Sequence, residues 1–393
     1  MSLIESLAAD ALKRDATHLR RIRRIHAERD GAWAVVNGQR LLNFSSNDYL
    51  GFAQHQDVIK AFKNGAEQFG VGSAGSALVS GYFSAHLELE QQAAELFGYE
   101  ACLYVSSGYL ANIGVLQTLL DAQSVCVQDK LNHACLIDGA RFSGCSLKRF
   151  AHQDLGAAEK FCIQAQSDNI FLVSDGVFSM DGDAAKLSTL ASIATHSKAT
   201  LMIDDAHGVG VLGETGLGSL QASQLSSEHV PILIIPAGKA LGGQGALILS
   251  KQIIIQHLVE TARPYLFSTA LAPAMALALA QALRCLQFQP EHHARLQANI
   301  KLFTRLASEA KLPILPSHSA IQPLMVGSNE RALWLAEQMR QKGFWLSAIR
   351  PPTVPLGKAR LRITLTALHQ AEHISALIES LHQLIGQAND LAH

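Results

Sequence analysis

Charge is scarce in this chain and balanced. The 32 lysines and arginines meet 33 aspartates and glutamates, charged residues make up 17% of 393 positions, and the formal charge is −1. Such a balance leaves no electrostatic footprint for nucleic acid or for an anionic membrane. Cysteines number six, at 102, 126, 135, 145, 162 and 285. None stands at CxxC or zinc spacing and most lie in apolar runs, so reduced core thiols of a cytoplasmic protein are expected. Long apolar runs are missing too. The most apolar helical stretch, Ala270 to Ala280, contains Pro273 and reaches Gln281 too early to span a bilayer. The opening residues, Met-Ser-Leu-Ile-Glu-Ser, bring an early acid and no apolar h-region, so no secretory signal is expected. What the chain has in quantity is hydrophobic residues, 48%, enough to bury large cores in two or three domains. The expectation is a compact enzyme acting on small molecules, with no metal.

The apolar residues fall into a regular order. Ile4 to about Asp30 reads as an amphipathic helix with a basic second half, and Ala34–Val36 and Leu41–Phe44 flank Asn37-Gly38 as a hairpin. From Ala85 to Phe97 the spacing predicts a helix. Beyond it, seven short apolar runs alternate with mostly helical stretches: Ala101–Val105, Val125–Gln128, Leu147–Phe150, Ile170–Ser174, Leu201–Asp204, Pro231–Ile235 and Ala246–Ser250. That alternation predicts an α/β domain with a largely parallel seven-stranded sheet covered by helices. After Pro290, strands at Leu312–Leu315, Ile321–Val326, Phe344–Ile349 and Arg360–Thr364 with two helices predict a small α+β domain. The expected divisions are 1–45 for the N-terminal helix and hairpin, 46–288 for the large domain and 289–393 for the small one.

Chemistry concentrates where strands end. Leu201-Met202-Ile203 runs into Asp204-Asp205-Ala206-His207-Gly208, and Ile234-Ile235 runs into Pro236-Ala237-Gly238-Lys239. A carboxylate at a strand end can keep a heteroaromatic nitrogen protonated, His207 can donate to an oxygen on the same ring, and a desolvated lysine can form a Schiff base. Together they suit pyridoxal phosphate, an electron sink that needs a protonated pyridine. Ser106-Ser107-Gly108-Tyr109 opens a helix after the first strand, where free N–H groups favour a phosphate. His133, at another strand-to-helix junction, could stack on a flat ring. Arg350, followed by Pro351, Pro352 and Pro355, has a rigid mount suited to a carboxylate. Plainer roles stay open for each residue alone: a helix cap for Asp204 and Ser107, a solvated charge for Lys239, a loop histidine for His133, a surface ion pair for Arg350. The glycine-rich Gly70–Ser76 matches a dinucleotide loop in letters only, since no buried strand leads into it. It reads as a loop whose backbone approaches something closely.

The runs Asn43–Gly51, Gly70–Ser76, Phe178–Asp183, Asp204–Gly208 and Ala348–Pro355, in this order over nearly the whole chain, resemble the α-oxoamine synthases. The resemblance implies the pyridoxal phosphate-dependent transferase fold of type I, the aspartate aminotransferase fold, working as a homodimer. It implies that Lys239 carries the cofactor, Asp204 pairs with the pyridine nitrogen, His207 bonds the ring hydroxyl and His133 covers the ring. Gly108 and Tyr109 would donate near the phosphate, Ser179 would sit beside the ring, and Ser268 and Thr269 would reach the neighbour's phosphate. Asn47 and Arg350 would orient an amino-acid carboxylate, with Arg21 and Thr353 near an acyl group. The implied activity is decarboxylative condensation of an amino acid with an acyl thioester. The Ile349–Pro355 loop and the N-terminus point to L-alanine and a pimeloyl thioester, on coenzyme A or an acyl carrier protein. Sister activities on glycine, and a non-catalytic cofactor-binding protein, remain alternatives. Pro236 departs from the family's usual threonine and offers neither hydroxyl nor N–H to a phosphate.

Overall fold

In a computed structural model of the chain, residues 2–390 are described, and they form two compact units. The larger comprises 47–179 and 183–294, the other 1–46, 180–182 and 295–393. The larger unit is built on seven strands: β1 (Ala101–Val105), β2 (Val125–Asp129), β3 (Ser146–Phe150), β4 (Ile170–Asp175), β5 (Thr200–Asp204), β6 (Ile232–Pro236) and β7 (Ala246–Ser250). All seven expected strands are present, with ends within one residue or so of the expected ones. Their order is β1-β7-β6-β5-β4-β2-β3, and β7 alone runs antiparallel to its neighbours.

Every residue of β1, β2, β4 and β7 is buried. Covered on both faces, these strands have no solvent side to mark with polar alternation, so they read in the sequence as unbroken apolar runs. One face packs on helices α1 (Gly108–Leu119) and α2 (Ala134–Ser143), where Val115, Leu116 and Leu136 join Val173, Met202 and Ile234 in a single core. Because the strands are parallel, their C-terminal ends lie along one edge, and the loops leaving them converge there. In the glycine-rich segment, a Cβ on Gly81 would meet the Gly75 carbonyl oxygen at 2.2 Å, so the close approach expected there is backbone on backbone.

The other unit differs from expectation at its first helix, at Leu312–Leu315 and at Phe344–Ile349, which splits into Phe344–Trp345, paired parallel with Gln39–Asn43, and Ser347–Ile349. Its first helix spans Leu3–Ala16 only, and His26–Asp30 is a strand paired antiparallel with Trp33–Val36. Thr17 ends the helix: its Oγ1 donates to the Lys13 carbonyl at 2.8 Å, and His18 follows at φ +56°. A left-handed residue cannot continue a right-handed helix. Leu312–Leu315 is not a strand but contributes an isolated bridge, Ile314 to Leu324. The hairpin forms as read, with Asn37 and Gly38 both at positive φ, as a type I′ turn requires. Ile321–Gly327, Ala359–Thr364 and Ser347–Ile349 make a three-stranded antiparallel sheet.

Candidate active site

The loops at the C-terminal edge of the large sheet enclose a cavity of about 350 Å³, within the range of small-molecule sites. Asn47, Ser107, Gly108, Tyr109, His133, Ser179, Asp204, His207 and Lys239, expected from the sequence to act at one place, all line it.

At its inner end, α1 begins. Ser107 is the N-cap, its Oγ accepting from Leu110 N–H at 3.2 Å, and its carbonyl accepts from Ala111 N–H at 2.9 Å. The N–H groups of Gly108 and Tyr109 come before the first intrahelical bonds, so they are left to an anion, aided by the helix dipole. A Cβ on Gly108 would come within 2.7 Å of Pro236 Cγ. The end of β6 therefore presses on the start of α1, and only glycine fits between them. The Tyr109 side chain leads away, its hydroxyl donating to Asp138 at 2.6 Å.

Asp204 closes β5 and is 4% exposed. Asn112 Nδ2 donates to its Oδ2 at 2.6 Å and Ala206 N–H to its Oδ1 at 3.0 Å, so the buried carboxylate is held by two donors. Its sequence neighbour Asp205 points elsewhere. Burial pushes Asp205 up to about 6 against the pull of Ser219, whose N–H donates at 2.7 Å and whose hydroxyl also bonds it. The adjacent carboxylates thus divide into one that lines the cavity and one that pins a loop.

His207 is fixed by Tyr49, whose hydroxyl lies 2.7 Å from His207 Nδ1 and 3.2 Å from Asn47 Oδ1. His133 faces the open side and is exposed there. Desolvation of its packed side, helped by the charge of Lys239 and opposed by Asp204, holds its pKa below the ordinary histidine value. Lys239 is half-buried at the loop after β6.

Four residues in or behind this wall escaped the sequence reading: Tyr49, Asn112, Cys135 and Asp175. Asp175 closes β4 just as Asp204 closes β5, and that pattern could have flagged it. It is buried, accepts from His133 N–H at 2.8 Å, and has its pKa raised well above the carboxylate range by burial and then by Asp204. Asn112 and Cys135 lie on helix faces that read simply as core.

Ser268 and Thr269 line a different pocket of the same unit, beside Tyr82, His86 and Glu90. Arg21, Arg350 and Thr353 belong to the other unit and meet within it. Arg21 donates to Thr353 Oγ1 at 2.9 Å, and Arg350 donates to the carbonyls of His18 and, at 3.3 Å, Arg20.

The cavity suits pyridoxal phosphate by its donor set. Two outward N–H groups, a doubly held buried carboxylate and a lysine are the three groups that a phosphate, a pyridinium and an aldehyde require. Comparison with known proteins agrees. The family model for class I and II aminotransferases matches residues 39–381. An 8-amino-7-oxononanoate synthase of Stenotrophomonas maltophilia is 44% identical over 380 residues, covering 96% of this chain and 93% of its own. That of Pseudomonas entomophila is 42% identical over 381 residues, covering 97% of each. Among solved structures, the 8-amino-7-oxononanoate synthase of Francisella tularensis superposes with a TM-score of 0.77 at 28% identity, over 88% of this chain and 98% of that one. With a family match over most of its length and relatives above 40% identity, the chain belongs to the 8-amino-7-oxononanoate synthases, within the class I and II aminotransferase family.

Proposed function

We propose that this chain is a pyridoxal phosphate-dependent C-acyltransferase that condenses L-alanine with a pimeloyl thioester, releasing carbon dioxide and the free thiol carrier, a step of biotin biosynthesis. The observation that carries the reading is the convergence of the Gly108–Tyr109 helix start, Asp204 and Lys239 on one cavity. When bound, pyridoxal phosphate supplies the electron sink for the pair left on Cα when a bond to it breaks.

The residues divide the remaining work. Gly108 and Tyr109 N–H would hold the phosphate, with Ser107 shaping the turn. Asp204 would keep the ring nitrogen protonated. Buried and twice hydrogen-bonded, it has a fixed place from which to do so. His207 and Ser179 would bond the ring hydroxyl, with Tyr49 fixing the histidine. Lys239 Nζ would carry the cofactor in the resting enzyme. Displaced by alanine, it would take the Cα proton as a free amine and later return one. Cα would then attack the thioester carbonyl, and His133 would donate to its oxygen. Asn47 and Arg350 would orient the amino-acid carboxylate, and Arg21 and Thr353 the acyl chain. The acyl carrier is coenzyme A or an acyl carrier protein.

A homodimer belongs to the proposal. The apolar side chains of Val71, Val79 and Phe267 are 93%, 83% and 73% exposed on the larger unit, a surface that association would cover. Ser268 and Thr269 would then serve the neighbour's phosphate. No described helix is long and apolar enough to cross a membrane, and a cytoplasmic location is part of the same reading. Exchange of the alanine α-proton in heavy water, followed by proton NMR on the cofactor-loaded protein, tests the function. Exchange with L-alanine that Lys239→Ala abolishes supports it; exchange with glycine alone would replace it with a sister activity.

A further inference from the structure

Behind the cavity wall, four side chains form a hydrogen-bond chain that closes only one way. Asn112 Nδ2 has two hydrogens. One goes to Asp204 Oδ2 at 2.6 Å, the other to Cys135 Sγ at 3.1 Å. Cys135 Sγ in turn lies 2.8 Å from His133 Nδ1. The same Nδ1 accepts the Cys135 backbone N–H at 3.4 Å, as His133 caps α2. A backbone N–H can only donate, so Nδ1 carries no proton. The remaining partner must donate as well, and the thiol hydrogen fills that place. The ring proton then sits on Nε2, the nitrogen away from the cap. Asn112 and Cys135 are 0% and 1% exposed, so no water competes for these bonds.

We propose that Cys135 is a positioning residue: its thiol accepts from Asn112 and donates to His133, tying the tautomer of the cavity histidine to Asp204. The inference rests on the function proposed above, in which His133 donates from Nε2 to the thioester carbonyl. The thiol is suited to the task because it stays protonated. Burial, and then the charge of Asp204, push its pKa well above the ordinary cysteine value, so it acts as donor rather than nucleophile. An aliphatic side chain of similar size would fill the space and pass nothing on.

The test uses protein labelled with 15N-histidine and freed of cofactor, with His133 assigned by the signal missing in His133→Asn. In the parent, Nδ1 resonates as an unprotonated acceptor and Nε2 as the protonated nitrogen at neutral pH. Cys135→Ala loses a donor that favours the neutral ring, so the His133 titration moves up by roughly half to one pH unit. Cys135→Ser, which can donate and accept, restores it. In turnover, Cys135→Ala lowers kcat by about three- to tenfold with little change in KM for L-alanine, and Cys135→Ser stays near the parent. An unmoved titration in Cys135→Ala, or a shift as large in Cys135→Ser, overturns the inference and leaves Cys135 as packing. The titration needs no reaction. A parent inactive with L-alanine would therefore overturn the proposed function, and with it the role in turnover, separately from the titration.

Discussion

Two histidines of the large unit, each just beyond a strand end, have their pKa values moved in opposite directions. His133 follows β2, and burial, joined by the charge of Lys239, outweighs the opposing pull of Asp204 and Asp138 and holds its pKa low. His152 follows β3, with Nδ1 3.1 Å from Asp129 and Nε2 2.9 Å from Asp183, and its edge lies against Phe178. Burial opposes its charge, but the two carboxylates outweigh burial and raise it to about 10. His152 bonds carboxylates of the fold with both nitrogens, whereas His133 is bonded within the fold through Nδ1. Position at a strand end therefore does not set a histidine's charge; the balance of burial against bonded carboxylates decides, with burial winning at His133 and the carboxylates at His152.

The sharpest break in this contrast comes on the cavity side. Lys239→Ala should lower turnover by about a thousandfold or more, since on the proposed function both the cofactor link and the proton carrier would go. The melting temperature of the cofactor-free protein should hardly move. Asp204→Asn should cost on the order of a hundred- to a thousandfold in kcat, read by the same assay, because on the proposed function the ring nitrogen would lose its fixed negative partner.

On the clamp side the balance reverses. His152→Gln should destabilise the fold by roughly 1–3 kcal/mol at neutral pH, in urea unfolding, because Asp129 and Asp183 lose a charged partner. Turnover should change far less than in the Lys239 variant. The folded pKa of about 10 lies above the ordinary 6.5, so the stabilisation from His152 is fully present below about 6.5. It fades as pH rises through about 10, and parent and variant should converge there.

The smallest effect concerns the cavity's inner end. Pro236→Thr adds a hydroxyl and an N–H beside the α1 start, and should tighten cofactor binding by about 1 kcal/mol, roughly fivefold. Equal dissociation constants, measured by fluorescence titration, would show that Pro236 costs the site nothing.

How far the sequence could be read follows from the range of each interaction. The seven strands were legible because burial on both faces writes apolar runs into the chain. The groups at their ends were legible because Asp204, His207 and Lys239 break those runs abruptly. The first helix was read too long, since apolar spacing continues past Thr17 while the residue that ends it acts through a cap and a backbone angle. Asn112 stayed hidden because its partners are remote, Asp204 at 92 positions and Cys135 at 23, while Cys135, only two positions from His133, read as a core thiol. Periodicity reports which way a residue faces, not which distant polar atom waits there. Tyr49 stands in the Asn43–Gly51 run, yet its place between Asn47 and His207 emerges only once 158 residues of chain bring His207 beside it.

The central claim is the condensation itself. The most direct measurement is to incubate the cofactor-loaded protein with L-alanine and pimeloyl-CoA and follow 8-amino-7-oxononanoate by mass spectrometry, with glycine in parallel. The account predicts the eight-position amino ketone from L-alanine, one carbon dioxide per product, and none with Lys239→Ala. Product from glycine alone, or no product from either amino acid while cofactor is bound, would contradict it.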